Sequence, residues 1–129
     1  MISHILFTII SSVLGIMLFF SFVVAPVSFK SLSEKNFRKF IRTIFPYYYA
    51  VNLSLLILVA VIVSIYYGFV FDLIPIIICI ILFALSLFVL MPLINKYRDK
   101  KKKKKFKFVH TTSVIINFLQ MILLVIVIF

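Results

Sequence analysis

The sequence contains few of the residues on which metal centres and soluble catalytic sites depend. Its 129 residues include one cysteine, no tryptophan, two glycines, four prolines and three acidic residues. A single cysteine excludes a disulfide framework or a cysteine-based metal cluster within one chain, so we expect Cys79 to be a buried packing residue. The three acids, Glu34, Asp72 and Asp99, form no carboxylate pair for acid–base catalysis. We therefore predict no catalytic residues and favour a protein that is not an enzyme.

Hydrophobic residues, in contrast, make up 65% of the chain, and the mean hydropathy is +1.30. This composition excludes a soluble globular protein. A helix that crosses the hydrocarbon core needs about 20 mainly apolar residues. Four stretches qualify, at residues 5–27, 47–67, 73–94 and 109–129. The sequence thus predicts an all-α membrane protein with a single domain, residues 1–129, folded as a four-transmembrane-helix bundle. We find no internal repeat in the residue identities.

All 14 lysines and arginines fall in two loops, residues 28–46 and 95–108. Two membrane crossings separate these loops, so both lie on the same side of the membrane. The positive-inside rule makes that side cytoplasmic and places both termini on the outer side.

The first basic loop has the pattern of an interfacial amphipathic helix between helices 1 and 2. Its apolar residues, Phe37, Phe40, Ile41 and Ile44, lie on the arc opposite Lys35, Arg38, Lys39 and Arg42. Ser31 and Glu34 have the spacing of a capping box, and Pro46 is expected to break or bend the chain before the second span. We expect this helix to lie among the headgroups of the anionic inner leaflet.

The second loop contains six consecutive lysines: Lys100, Lys101, Lys102, Lys103, Lys104 and Lys105. We expect these lysines to contact anionic lipid headgroups, which attract basic residues near the membrane surface. A nucleic-acid site needs aromatic or shape-reading elements beside the charges, and only Phe106 and Phe108 are near. We therefore predict no nucleic-acid partner.

Polar residues converge on the cytoplasmic half of the predicted bundle. The fourth span carries a stripe on one helical face, formed by His110, Ser113, Asn117 and Gln120, and other segments bring Tyr47, Tyr48, Asn52, Asn95 and Arg98 to this half. Ser21 lies at the matching end of the first span. Such residues act either as interhelical hydrogen-bonding groups, as Asn52 and Asn117 would if they paired, or as a ligand site.

The histidines do not predict a metal or haem site within one chain. His4 lies near the outer surface and His110 near the inner one, so they are separated by about the 30 Å thickness of the hydrocarbon core. We predict no metal and no cofactor, and keep haem as the alternative. In the first span, Ser11 and Gly15 have the spacing of small residues that let helices approach closely. We assign this face to packing within the bundle, with dimerisation as the alternative.

Four ordered blocks are spread along most of the chain, between residues 15 and 120. They are residues 15–29, residues 44–48, residues 92–99, and residues 108–114 followed by Asn117 and Gln120. In these blocks the chain resembles the transmembrane protein 205-like family, a small bacterial four-helix membrane domain of unknown function. The resemblance implies that Gly15, Pro26, Phe29, Pro46 and Pro92 are signature structural positions. With the composition rich in Ile, Phe and Lys, it implies the inner membrane of a bacterium.

These observations together predict an integral inner-membrane protein of uncharacterised activity. The polar cluster on the cytoplasmic side is expected to organise the bundle and to bind a small ligand, a lipid headgroup or a partner. The expected partners are the anionic inner leaflet and a second copy or another membrane protein. The alternatives are a haem- or metal-linked membrane redox protein and a subunit of an oligomeric transporter.

Overall fold

The computed structural model describes residues 2–129, with side chains from Ser3 onwards. Its four long helices are each long and apolar enough to cross a membrane: α1 (Ser3–Ser31), α2 (Glu34–Tyr67), α3 (Leu73–Asp99) and α4 (Lys103–Ile128). No strand occurs anywhere between residues 2 and 129. The predicted all-α architecture with four transmembrane helices is confirmed.

The helices form an antiparallel ring in which each packs against its sequence neighbours and α4 packs back against α1. The connections between successive helices are short, as is usual for antiparallel neighbours in a bundle. One end, which we name the basic end, carries the α1–α2 and α3–α4 connections and all the lysines and arginines. The other end, the hairpin end, carries residues 68–72, where Gly68 adopts a positive φ of 70° that favours glycine.

The core lies along the axis of this ring, and all four helices contribute to it. Met17, Leu56, Phe83 and Leu124 are fully buried there. Large apolar side chains also cover the outer surface, such as Phe19, Ile65, Phe88 and Ile126. An apolar core inside an apolar surface is the distribution expected of a bundle whose solvent is lipid.

The two halves of the chain repeat the same succession of elements. In α1 a π-helical segment, Phe20–Val24, separates α-helical Ile2–Phe19 from Ala25–Ser31. In α3 a π-helical segment of the same length, Ser86–Leu90, separates Leu73–Leu85 from Met91–Asp99. Pro26 and Pro92 each stand second in the α-helical segment that follows. A π turn widens the helix, which makes room for the proline ring that a regular turn would exclude.

Burial follows the same repeat. The sequence separation that relates Phe20 to Ser86 also relates Ile10 to Ile76, Val13 to Cys79 and Met17 to Phe83, and all of these residues are buried. In α2 and α4, one constant separation relates Asn52 to Gln120 and Leu56 to Leu124, again all buried. The structure thus contains an internal repeat that the residue identities do not reveal. The halves share burial and helix geometry, whereas few of their residues are identical, so identity alone gave no signal.

Pro46 does not interrupt α2. The predicted amphipathic segment is helical, but it continues without a break through Pro46 into the second span. Of the break or bend expected at Pro46, the break is wrong: the proline removes one backbone hydrogen bond and crowds the preceding turn, but packing against neighbouring helices keeps α2 continuous. The neighbouring Phe45 ring, for example, contacts the ring of Phe20 in α1 at 5.1 Å.

Two further local expectations are corrected. Ser31 ends α1 and does not begin a capping box; Ser33 is the N-cap of α2, and its hydroxyl oxygen accepts from the Asn36 backbone N–H at 3.3 Å. Gly15 faces outward, and a Cβ added to it would meet no described atom within 4 Å. The assignment of Gly15 to close packing within the bundle is therefore wrong.

Candidate functional site

An open cleft of about 740 Å³ lies at the basic end, between the start of α2 and the end of α3. Thr43 and eight charged residues line it: Glu34, Lys35, Arg38, Lys39, Arg42, Arg98, Asp99 and Lys101. With six cationic and two anionic side chains, the lining has a positive formal charge.

Both carboxylates in the cleft are paired. Arg42 forms an ion pair with Asp99, and its guanidinium also donates to the Asn95 backbone carbonyl at 3.2 Å, so it links α2 to α3. Arg38 pairs with Glu34 one turn earlier in α2. Within the described part of the chain, no carboxylate forms an ion pair with Lys35, Lys39, Arg98 or Lys101. These four cations are available to an anion from outside the protein.

Aromatic rings fix Arg98 at the edge of this cleft. Its guanidinium carbon lies 4.7 Å from the centroid of the Phe106 ring, across the α3–α4 connection. The Phe106 ring in turn stacks on the His110 ring, with centroids 5.7 Å apart. The Lys105 Nζ lies 5.7 Å from the centroid of the Tyr97 ring. A guanidinium held over an aromatic face is oriented before any ligand arrives.

In the repeat, the α2–α3 contact that carries the cleft corresponds to the contact between α4 and α1. The α4–α1 contact lacks these charges. The position of Arg42 in α2 is occupied by His110 in α4. The position of Asn95 in α3 is occupied by Phe29 in α1, and that of Arg98 by Leu32, which follows α1. Phe29 itself makes an edge-on aromatic contact with Phe37 of α2, with ring centroids 5.3 Å apart.

A hydrogen-bonded junction joins three helices deeper in the bundle. The Asn117 side-chain amide in α4 donates to the Ser21 hydroxyl in α1 at 2.9 Å, and its oxygen accepts from the Tyr48 hydroxyl in α2 at 2.9 Å. Tyr48 also stacks on Phe20 with ring centroids 4.3 Å apart. The pairing of Asn52 with Asn117, which the sequence left open, does not form, because Asn117 is bonded to Ser21 and Tyr48 instead.

A second polar group lies nearer the middle of the bundle. The side-chain amide nitrogen of Gln120 donates to the backbone carbonyl of Cys79 at 3.2 Å, and the Cys79 thiol donates to the backbone carbonyl of Gln120 at 3.7 Å. Asn52 is completely buried, and neither its side-chain oxygen nor its nitrogen has a hydrogen-bond partner among the described residues. The Gln120 side-chain oxygen also has no hydrogen-bond partner among the described residues.

The predicted polar cluster thus divides into three levels. Arg98 lines the cleft, and Asn95 and the exposed His110 lie at the same basic end without lining it. Tyr48 and Asn117 form the junction, and Asn52 and Gln120 lie deeper. Ser113 is buried in α4, and its hydroxyl donates to the His110 carbonyl within the same helix at 2.7 Å. Tyr47 is not part of the cluster, because it is 66% exposed on the outer surface.

Two contributions to these sites had no clear sequence signal. Ser21 was placed at the right depth, but nothing in the sequence predicted Asn117 as its partner. Arg42 was expected to contact lipid, and its ion pair with Asp99 depends on the ending of α3 beside α2, which spacing along the chain does not reveal.

The histidines lie at opposite ends of the bundle, as expected from the topology. The helical rise from His4 to the level of Ser21 and Asn117, and on to His110, amounts to roughly 35 Å. In the described part of the chain, no three His, Cys, Asp or Glu residues are grouped so as to hold a metal ion.

Comparison with known proteins gives one match. A family model described as Domain of unknown function (DUF4149) matches residues 8–103, from the first turns of α1 to the first residue of α4. No curated protein and no solved structure shows a significant match. The matched segment contains the residues that line the cleft, and it ends before Asn117 and Gln120.

Proposed function

The chain belongs to the DUF4149 family, a domain of unknown function, and from its own structure we propose that it is an inner-membrane protein that binds an anionic phosphate headgroup in the basic cleft. The observation that carries the proposal is the set of four unpaired cations, Lys35, Lys39, Arg98 and Lys101, around one open cleft.

Phosphate suits this cleft because of how its cations are held. Guanidinium groups bind phosphate oxygens with directed, charge-assisted hydrogen bonds, and lysines add charge without strict geometry. Arg98 is fixed over Phe106, so little of its conformational freedom is lost on binding. The three lysines are long and exposed, and they can close around a headgroup from the sides.

The position of the cleft suits a lipid more than a free solute. It opens at the basic end, beside the apolar outer surfaces of α2 and α3, so a headgroup can enter while its acyl chains remain in the bilayer. We propose that the basic end faces the cytoplasm, where anionic lipids are concentrated and where the positive-inside rule places lysine and arginine.

We also propose, on the four sequence blocks given above, kinship with the transmembrane protein 205-like proteins. Of the alternatives, the haem-linked reading would need histidines from two copies, because His4 and His110 of one chain are far apart. The transporter reading would need a path through several copies, because the core between the buried amides and the hairpin end is lined by apolar residues such as Val59, Val63 and Ile76.

The proposal is tested by native mass spectrometry of the full-length protein released from detergent. The probes are phosphatidylglycerol and phosphatidylcholine of matched acyl chains. We expect a one-to-one adduct with phosphatidylglycerol at lipid concentrations where phosphatidylcholine does not bind. Arg98→Ala should weaken that adduct about tenfold or more, since a charge-assisted hydrogen bond contributes about 1.5–3 kcal/mol.

Lys107→Ala is the matched control, because it removes one positive charge from the same end of the molecule outside the cleft. It should leave the phosphatidylglycerol adduct within about twofold of the wild type, as expected for an exposed charge. Equal weakening by both variants would mean that lipids respond to the net charge of the basic end, and the proposed cleft site would be wrong.

A further inference from the structure

The repeat places two buried amides at equivalent positions. Asn52 in α2 and Gln120 in α4 are both completely buried, and Leu56 and Leu124 one turn further on are an equivalent buried pair. In a ring of four helices α2 and α4 lie across the axis from each other. The two amides therefore flank a pseudo-two-fold axis that runs along the bundle.

The two amides also lie at a similar depth. The rings of Tyr49 in α2 and Phe83 in α3 lie at the same level, with centroids 6.3 Å apart. Asn52 lies beyond Tyr49, and Cys79 beyond Phe83, by a helical rise of roughly 5 to 6 Å toward the hairpin end. Cys79 is the residue to which Gln120 is bonded. Asn52 and Gln120 thus belong to one polar layer near the middle of the membrane.

Side-chain length explains why one amide is bonded and the other is not. Gln120 reaches the carbonyl of Cys79 in the neighbouring helix of its own half. The residue equivalent to Cys79 in the first half is Val13, and Asn52 is one methylene shorter than glutamine. In the part of the chain that the structure describes, Asn52 accordingly has no partner for either polar atom, and the Gln120 oxygen has none.

The donor or acceptor character of these three unpartnered atoms determines which ligand can bond all of them. They comprise one amide nitrogen, which only donates, and two amide oxygens, which only accept. A phosphate or carboxylate would satisfy the nitrogen alone, and a metal cation would satisfy the oxygens alone. Water both donates and accepts, and buried water typically makes about three hydrogen bonds to buried polar groups that lack other partners.

We propose that Asn52 and Gln120 form a hydration site on the pseudo-two-fold axis, in which ordered water bonds the Asn52 amide and the Gln120 side-chain oxygen in the middle of the bundle. This site is separate from the cleft. Apolar residues separate it from the hairpin end, so its water is held in the core and does not belong to a continuous path across the membrane.

The test is nuclear magnetic resonance of the full-length, ¹⁵N-labelled protein in micelles. We expect magnetisation transfer from water to the Asn52 side-chain amide, with the resonance assigned by its loss in Asn52→Leu. Asn117 is the internal comparison, because it lies closer to the basic end and is less buried, but its amide is bonded to Ser21. Transfer should be at least about twofold stronger at Asn52 than at Asn117.

Weaker transfer at Asn52 than at Asn117 would overturn the proposal. So would a sodium-dependent shift of the Asn52 and Gln120 resonances, which would indicate a cation in place of water. A second variant, Asn52→Gln, supplies the missing methylene. We expect its longer side chain to bond the Val13 carbonyl, to displace water and to raise the thermal unfolding midpoint by several degrees; a lowered midpoint would contradict the equivalence of Val13 and Cys79.

Discussion

Asn117 is the residue through which α4 is fixed to two other helices. Its side-chain nitrogen donates to Ser21 and its oxygen accepts from Tyr48, so one amide fixes both the rotation and the height of α4 against α1 and α2. Packing against lipid favours no particular rotation of an apolar helix, because lipid and protein surfaces are equally apolar. The junction therefore specifies the arrangement of the bundle more than it drives its formation.

Asn117→Leu keeps the number and branching of the side-chain heavy atoms and removes both bonds. Interhelical hydrogen bonds in membranes contribute about 0.6 kcal/mol on average and up to about 1.7 kcal/mol. We expect a loss of about 1–3 kcal/mol in the free energy of unfolding, measured by titration with a denaturing detergent. Thr112→Ala is the control, since the Thr112 hydroxyl bonds only the Phe108 carbonyl in its own helix. A loss no larger than that of the control would contradict the role of the junction.

At this scale the sequence predicted which residues are polar and on which face, but not which pairs form. The spacing of Ser113, Asn117 and Gln120 placed them correctly on the inner face of α4. The partner of Asn117 depends on the relative height of three helices to within a few ångströms, and hydrophobic periodicity does not fix helix height that closely. For this reason the sequence could not decide whether Asn52 and Asn117 pair, and in the structure they do not.

The π-helical segments are the elements that distinguish α1 and α3 from α2 and α4. α1 and α3 each contain a π-helical turn of five residues, and a proline follows it at the same position in both helices. A π turn is a local insertion in a helix, and the α-helical segments on either side keep their own packing. The position of such a turn is set by packing on both sides, which explains why it could not be predicted from the sequence.

Deleting Val23, which is exposed within the first π segment, should convert that turn to a regular one and leave Val13 and Met17 buried. Deleting Leu18, equally exposed but within a regular α-helical segment, should rotate the buried face of α1 by about 100° and cost about 5 kcal/mol or more in stability. The measurement is the thermal unfolding midpoint of each variant in detergent. Equal losses in both would mean that the π turn is not an insertion of this kind.

The four spans, in contrast, were predictable because each is a long apolar run. The sequence also predicted the helical segment before Pro46, but not its continuity with α2, because a proline weakens a helix without always ending it. The repeat was missed because its halves share buried positions, such as Met17 and Phe83, that carry different apolar residues. Any apolar residue of suitable volume fills such a position, so burial is preserved where identity is not.

The charge distribution is the property of the whole molecule from which we predict its orientation. All 14 lysines and arginines lie at the basic end, whereas the hairpin end carries Asp72 and His4. Moving this basic end across a membrane would require many charges to leave water, each at a cost of about 2.5–3.5 kcal/mol on the translocon scale. One orientation is therefore strongly favoured.

Cysteine labelling measures this orientation directly in intact cells. With a membrane-impermeant maleimide we expect Asp72→Cys to be labelled from outside, and Ser31→Cys and Lys102→Cys only after the membrane is opened. Cys79 of the wild-type protein is the control; it is completely buried and should react only after unfolding. Labelling of Ser31→Cys from outside would reverse the orientation. Opposite behaviour of Ser31→Cys and Lys102→Cys would contradict the bundle itself, since two crossings must return the chain to the same side.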